Sequence, residues 1–447
     1  MAYLYEFGKW TNVSEIESLK ELVKKIWNER LFVREKAELT EEESDVRYQP
    51  FLKFDGNQVK ANNFIGFIQN GEEVIEIYPK VFRDILPTPN QSNKYLMLQH
   101  IFYWFSYCRK WKFPFNKASL NNRDIVEFPE LIINLIANQF LETISRQPLM
   151  IYQPVEEALF TPRGTINFTR YINKSLANGN LHSIECDHEP FLFNNKVNQI
   201  IKYCARLLLN QSKFQESKRA LEEVIFILEE VDDLYCSIND FSKIKLNSFF
   251  TDYLDILDSC KLVMSNQLYS NTTNEMFQWS LLFPMEYIFE DFLAGFLEDK
   301  FSQSWKVEYQ KSDEYLSNRP EVFNMQHDIF LTSKSGSERK IIIDTKYKIR
   351  PKDFKSDKKK GVAQSDLYQM VSYAYKRGCS DVIVVYPNIG EELHSSDQFE
   401  IISGFVGKEK INVIAMEIPF WSISAFELIE DRLLTTINKL LNNIEAN

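Results

Sequence analysis

An aspartate and a lysine stand two residues apart at the end of an apolar run, Lys340-Ile341-Ile342-Ile343-Asp344-Thr345-Lys346. Side chains alternate across a strand, so Asp344 and Lys346 share one face while Ile343 and Thr345 share the other. Upstream, Asp328 opens the run Ile329-Phe330-Leu331, and Ser333 to Ser337, with Gly336, has the composition of a hairpin turn. Pairing of the two strands would let the aspartates converge. Two carboxylates with a lysine beside them suit divalent-metal phosphodiester hydrolysis. The carboxylates hold Mg²⁺, the metal lowers the pKa of its water, and the ammonium steadies the attacking hydroxide or the charge on the phosphate. An Asp-x-Lys triplet alone is also the pattern of a surface ion pair, so its surroundings decide.

The neighbouring elements add groups. In a helix expected over Asp366 to Arg377, Gln369 and Tyr373 are four residues apart and share a face that would pack beside the strands. In a helix expected over Leu281 to Lys300, Glu286 and Glu290 have the same spacing among Leu282, Phe283, Ile288, Phe289 and Phe292. A carboxylate on the buried side of such a helix is costly unless it is paired or binds metal, and Glu290 is assigned to the inside. From Arg339 to Lys360 ten Lys or Arg residues stand against three Asp, a local excess of seven positive charges on a chain of net charge −11. Such a strip suits phosphate contact, and Lys348, Arg350 and Lys352 are expected to meet DNA phosphates non-specifically. Its plainer reading is a solvated loop.

These groups must be held by a chain of 447 residues, enough for roughly two to four domains. Ser14 and Glu17 make a capping-box pattern ahead of Ile16, Leu19, Leu22, Val23 and Ile26 at helical spacing. Short β-like runs follow at Phe64 to Ile68 and Val74 to Tyr78, with Asn70 and Gly71 between them, so residues 1–90 read as a strand-rich N-terminal domain. The stretch from Pro87 to Asn93 cannot continue a helix or a central strand and predicts a boundary. Tyr95 to Tyr107, Phe128 to Ile144, Asn195 to Asn210 and Ser217 to Leu234 carry helical patterns, which makes residues 91–274 a mainly helical middle region. Over residues 275–447 the order is helix, strands at Asp328 to Thr332 and Lys340 to Lys346, helix, and a strand at Asp381 to Tyr386. That order predicts an α/β unit with a central sheet, and an α+β multidomain chain as a whole.

Composition narrows the function classes. With 44% hydrophobic and 26% charged residues but only 13 Gly and 15 Pro, a disordered or fibrous chain is excluded. The most apolar run, Leu281 to Leu297, carries Glu286, Glu290 and Asp291, so no membrane span is expected. Six scattered cysteines without a C-x-x-C pair predict a reduced, cytoplasmic setting. The acidic total argues against a simple nucleic-acid binder. No phosphate-binding G-x-x-x-x-G-K-[ST] occurs: Gly8-Lys9 precedes Trp10, and Gly404 to Lys408 precedes Glu409. Nucleotide hydrolysis is therefore not expected of this chain. His182, Cys186 and His188 lack a second ligand pair at zinc spacing, and the rings near Ile101, Phe102 and Phe105 read as core.

A helix with an acid, a strand with Asp, an Asp-x-Lys strand and a further helix, in this order, resemble the PD-(D/E)xK nuclease superfamily. Gln369-Met370-Val371-Ser372-Tyr373 matches the Q-x-x-x-Y motif of its RecB-type branch. The chain also resembles the McrC family in Phe283-Pro-Met-Glu-Tyr-Ile-Phe-Glu290, Ile343-Asp-Thr-Lys-Tyr347, Asp366-Leu-Tyr-Gln-Met370 and Val385-Tyr-Pro387. Outside that region the likeness continues in Ile77-Tyr-Pro-Lys80, Arg163-Gly-Thr-Ile166 and Asn195-Lys-Val-Asn198. One departure is His327, which stands where the motif has Pro; that Pro shapes the backbone and holds no metal, and His327 is read as a solvated neighbour of the site or a phosphate contact.

The resemblance implies a C-terminal restriction-endonuclease-like domain in which Asp328 and Asp344 hold Mg²⁺ and Glu290 is an accessory ligand. Lys346 would activate water or stabilise charge, and Gln369 and Tyr373 would orient the site or the DNA backbone. It implies the nuclease subunit of a 5-methylcytosine-dependent restriction system, docked through its N-terminal and middle parts on an McrB-like AAA+ GTPase. That partner would use GTP, recognise modified double-stranded DNA and translocate it. Two rivals are a non-cleaving subunit that only stimulates the GTPase and an autonomous RecB-like exonuclease. The first would have a broken metal triad, and the segments before residue 200 argue against the second.

Overall fold

The computed structural model describes residues 2–35, 51–70, 73–88, 90–109, 127–244, 246–247, 249–265, 267–268, 278–335, 339–351, 356–402 and 410–446. Its contacts divide the chain into two compact units, residues 1–128 with 268–447, and residues 129–267. The chain is a mixed α/β protein with several sheets. Among the described residues no helix is long and apolar enough to cross a membrane.

The first unit begins with β1 (Ala2–Tyr5), β2 (Thr11–Asn12), α1 (Ile16–Glu35), β3 (Leu52–Asp55), β4 (Gln58–Ala61), β5 (Phe64–Asn70), β6 (Glu73–Tyr78) and α2 (Gln91–Phe105). Ile16, Leu19, Leu22 and Val23, spaced as one helical face, are buried in a cluster with Phe51, Phe64 and Ile68. The capping box does not form. The Ser14 hydroxyl donates to Glu73 instead, and Glu17 pairs with Lys20 at 2.7 Å.

In the second unit lie α3 (Phe128–Arg146), which begins at the boundary, then α4 (Lys196–Gln211), α5 (Gln215–Ile227) and α6 (Thr251–Ser265). Between α3 and α4 it carries strands that the helical expectation omitted: β7 (Ile151–Tyr152), β8 (Val155–Leu159), β9 (Thr165–Ile166), β10 (Ile184–His188) and β11 (Phe191–Leu192). They are two to five residues long, and β8 buries none of its residues, so no apolar alternation marks it.

The chain returns to the first unit through β12 (Gln267–Leu268), β13 (Gln278–Pro284), α7 (Met285–Phe301), β14 (Trp305–Asn318), β15 (Glu321–Ser333) and β16 (Lys340–Thr345). It closes with α8 (Gln364–Arg377), β17 (Asp381–Pro387), β18 (Asp397–Ile402), β19 (Lys410–Ile418) and α9 (Ile429–Ala446). Leu281 to Pro284 belong to a strand rather than to the helix expected from Leu281, because β13 runs antiparallel to β5 with Leu282 opposite Gly66. The sheet β1-β6-β5-β13 thus mixes the start of the chain with residues beyond 275. Residues 1–90 and 275–447 lie in one compact unit, which also holds the stretch around Pro87.

The second large sheet has the order β14-β15-β16-β17-β19-β18. Strands β14, β15 and β16 pair antiparallel, β16, β17 and β19 run parallel, and β18 is an antiparallel edge. Met370, Tyr373 and Ala374 of α8 pack on Ile342, Val382, Val384 and Val413 of this sheet. Helix α7 lies so close to the end of α2 that a Cβ on Gly295 would sit 1.8 Å from the Tyr107 carbonyl oxygen. That approach fixes the helix carrying Glu286 and Glu290.

Candidate active site

Strands β15 and β16 pair with Ile329 opposite Ile343, so the next residues outward, Asp328 and Asp344, face each other on the same side of the sheet. Asp328 Oδ2 accepts from both the amide and the hydroxyl of Thr345, each at 2.7 Å, which ties the two strand ends together. Lys346 Nζ stands 2.7 Å from Asp344 Oδ2. Asp344 is only 4% exposed. Burial and the charge of Asp328 push its carboxyl up to about 7, with Lys346 opposing. Burial works against the charge on Lys346, yet Asp344 and Asp328 hold its ammonium above the ordinary lysine range.

These three residues line an open cleft of about 340 Å³ together with Glu286, Tyr287, Glu290, Gln310, Gln326, Thr345, Tyr347, Lys348 and Gln369. Glu290 accepts from Gln310 Nε2 at 3.0 Å. Glu286 lines the same cleft, although the sequence reading assigned only Glu290 to the inside. Its Oε2 is buried and has no hydrogen-bond partner among the described residues. The signal for Glu286 was present in its four-residue spacing from Glu290, which puts both on one helical face.

The donor set is all oxygen, as a hard divalent cation requires. Asp344 and Asp328 repel each other in a buried setting, and Glu286 contributes an unsatisfied carboxylate oxygen. Among the described residues no group of three or more His, Cys, Asp or Glu side chains is gathered closely enough to enclose a metal. The arrangement fits Mg²⁺ held by one or two carboxylates and otherwise by water, its usual mode in phosphate chemistry.

Gln369 Nε2 donates to the Tyr373 hydroxyl at 2.9 Å. Gln369 reaches the cleft, while Tyr373 is buried behind it with its ring 4.5 Å from that of His327. His327 is not a solvated neighbour: it is 1% exposed and its Nε2 accepts from Arg377 Nε at 2.9 Å. Burial and the Arg377 charge lower its pKa to about 4, so it is neutral and structural.

Of the three basic residues expected on DNA, Lys348 lines the cleft with a side chain 60% exposed, 3.3 Å from Asp366. Arg350 does not lie on the surface. It is 2% exposed, pairs with Asp397 at 2.8 Å, lies 3.9 Å from Glu417 and donates to the Lys360 carbonyl. The buried Glu417 and the partly exposed Asp397 hold this guanidinium inside. Lys352 lies outside the described residues. In the second unit His188 pairs with Glu157 at 2.6 Å, while Cys186 is buried.

The profile of the McrBC 5-methylcytosine restriction system component family matches residues 59–387. The chain belongs to this family. Among curated proteins no significant match is found. The McrBC-family chain has the fold of a chain in the half-complex from the tetradecameric assembly of Thermococcus gammatolerans McrB AAA+ hexamers with bound McrC. That likeness has a TM-score of 0.69 at 15% identity and covers 97% of this chain and 99% of that one. A chain of the Thermococcus gammatolerans McrBC complex solved by cryo-EM is also similar, with a TM-score of 0.51 at 17% identity over 66% of this chain and 86% of that one. At these identities the likeness of the McrBC-family chain to both is one of fold.

Proposed function

We propose that this McrBC-family chain is the Mg²⁺-dependent DNA-cleaving subunit of a 5-methylcytosine-directed restriction system, working with an McrB-like AAA+ GTPase. The observation that carries the reading is the convergence of Asp328, Asp344 and Lys346 in one open cleft of a mixed sheet. The helix α7, strands β15 and β16, and helix α8 around that cleft support assignment to the PD-(D/E)xK nucleases. The partner is inferred from the family and from the McrB-bound McrC whose fold this chain shares.

Asp328 and Asp344 would hold the Mg²⁺, with Glu290 or Glu286 reaching it directly or through water. When bound, Mg²⁺ supplies Lewis-acid activation of water and neutralises charge at the scissile phosphate. Thr345 fixes the Asp328 carboxylate through two hydrogen bonds. Lys346 compensates the buried Asp344 and offers its ammonium to the charge that develops on the phosphate. Gln369, anchored by Tyr373, presents its amide at the wall of the cleft to orient the DNA backbone. Lys348, exposed beside them, contributes sequence-independent attraction to DNA.

The test is cleavage of methylated and unmethylated plasmid in Mg²⁺ by the chain alone and with its GTPase and GTP. Cutting of methylated plasmid in the complete mixture alone is the expected result. Cutting by the isolated chain would favour an autonomous nuclease, and stimulation of GTP hydrolysis without cutting would favour a purely activating subunit.

A further inference from the structure

Strands β1 and β6 run parallel with Tyr5 opposite Tyr78, so the chain leaves both at the same edge. Glu6 follows one strand and Lys80 follows the other, after Pro79 has turned the backbone with φ −60° and ψ 140°. Glu6 is fully buried, and its Oε2 accepts from the Lys80 amide at 3.0 Å and from the Tyr347 hydroxyl at 2.9 Å. The Lys80 ammonium donates to the Tyr347 carbonyl at 2.7 Å and lies 4.2 Å from the centre of the Tyr347 ring. Tyr347 is thus gripped at its carbonyl, its ring and its hydroxyl by two residues from the start of the chain.

Tyr347 immediately follows Lys346, whose amide donates to the Val385 carbonyl at 2.8 Å. Any movement at 347 is passed along one peptide to the lysine and along three to Asp344. Burying the Glu6 carboxyl and drawing the Lys80 ammonium in beside it is a poor way to stabilise a fold, since desolvation is costly and well-packed apolar residues of similar volume do as well or better. What such a pair supplies is directional constraint. Lys80 is held here although burial depresses its pKa, with Glu6 and Glu286 opposing.

We propose that Glu6 and Lys80 are positioning residues for the cleft: through Tyr347 they fix the segment that carries Asp344 and Lys346, so that the geometry of the site depends on the N-terminal sheet. This rests on reading the cleft as a Mg²⁺-dependent nuclease site. Neither residue touches DNA or metal in this scheme.

The experiment compares Lys80→Met, Lys80→Arg and Tyr347→Phe with the unaltered full-length chain, each assembled with the GTPase, GTP, Mg²⁺ and methylated plasmid. Lys80→Met and Tyr347→Phe should slow cleavage at saturating DNA by about 10- to 100-fold, the scale of supporting-residue effects at metal sites. The KM for DNA and the stimulation of GTP hydrolysis should stay unchanged. Lys80→Arg keeps a cationic donor and should recover most of the rate. Unaltered cleavage in both Lys80→Met and Tyr347→Phe would overturn the proposal, as would a parallel loss of GTPase stimulation in all three variants. If the unaltered chain itself fails to cut, the nuclease reading falls, and the rise in unfolding temperature caused by Mg²⁺ alone tests the positioning. A rise kept by Lys80→Arg and lost by Lys80→Met supports it; no rise, or an equal rise in every variant, overturns it.

Discussion

Asp328 and Asp344 face each other across paired strands but are held in different ways. Asp328 accepts two hydrogen bonds from Thr345, whereas Asp344 is buried, faces the charge of Asp328 and leans on Lys346. One carboxylate is fixed by neutral donors and the other by a cation. A divalent ion between them would relieve the repulsion that burial intensifies.

Removing either carboxylate should therefore end cleavage without unfolding the chain. Asp344→Ala and Asp328→Ala are expected to lower the cleavage rate by at least about 10³-fold, because metal activation contributes several kcal/mol and each 1.36 kcal/mol is tenfold. Complex formation with the GTPase and stimulation of GTP hydrolysis should survive, which gel filtration and phosphate release would read. Loss of the complex in Asp344→Ala would make that residue structural.

Glu286 lines the cleft with a buried oxygen that has no hydrogen-bond partner among the described residues, while Glu290 is engaged by Gln310. Glu286→Gln should raise the Mg²⁺ concentration for half-maximal cleavage by about tenfold, the lower part of the range for outer ligands. A Mg²⁺ titration of the cleavage rate that superimposes on that of the unaltered protein would remove Glu286 from the site.

The raised pKa of Asp344, about 7, sets a sign for the effect of pH. In the unfolded chain the same carboxyl releases its proton near the ordinary aspartate value of about 3.9, so between that value and 7 the folded state binds more protons. Metal-free stability should fall as pH rises through this window. Glu6, also pushed up to about 7 by burial, adds a decline in the same direction. Asp344→Asn removes one contribution, and its unfolding temperature without Mg²⁺ should drop less between pH 5 and 8. With metal present, the proton competes for the carboxylate, and half-saturating Mg²⁺ should decrease as pH rises through 7.

Arg350 and Lys348, two residues apart, should behave as different kinds of residue. Arg350→Ala strands Asp397 and the buried Glu417 without their guanidinium and should cost about 3 kcal/mol of stability, seen as an early thermal transition. Lys348→Ala removes an exposed ammonium from the buried Asp366 and should cost no more than about 1 kcal/mol of stability, while flattening the salt dependence of DNA binding by about one unit of slope. A normal unfolding temperature in Arg350→Ala would show that the guanidinium is not needed to hold those acids.

What could be read from the sequence was what local periodicity encodes. The Asp344-x-Lys346 spacing fixes a shared strand face, and the four-residue spacings of Gln369 with Tyr373 and of Glu286 with Glu290 fix shared helical faces, whatever the rest of the chain does. Tertiary structure decided the rest. The register that sets Asp328 against Asp344 depends on which strands pair. The strand character of Leu281 to Pro284 exists because β5, more than 200 residues earlier, offers an edge to pair with. Arg350 looks like its basic neighbours in composition, and only the approach of Asp397 and Glu417 from the neighbouring strands takes it out of solvent. Glu6, Lys80 and Tyr347 carry no mutual signal in spacing at all, because hydrogen bonds across long sequence separations leave no periodic trace and are settled when the sheets assemble.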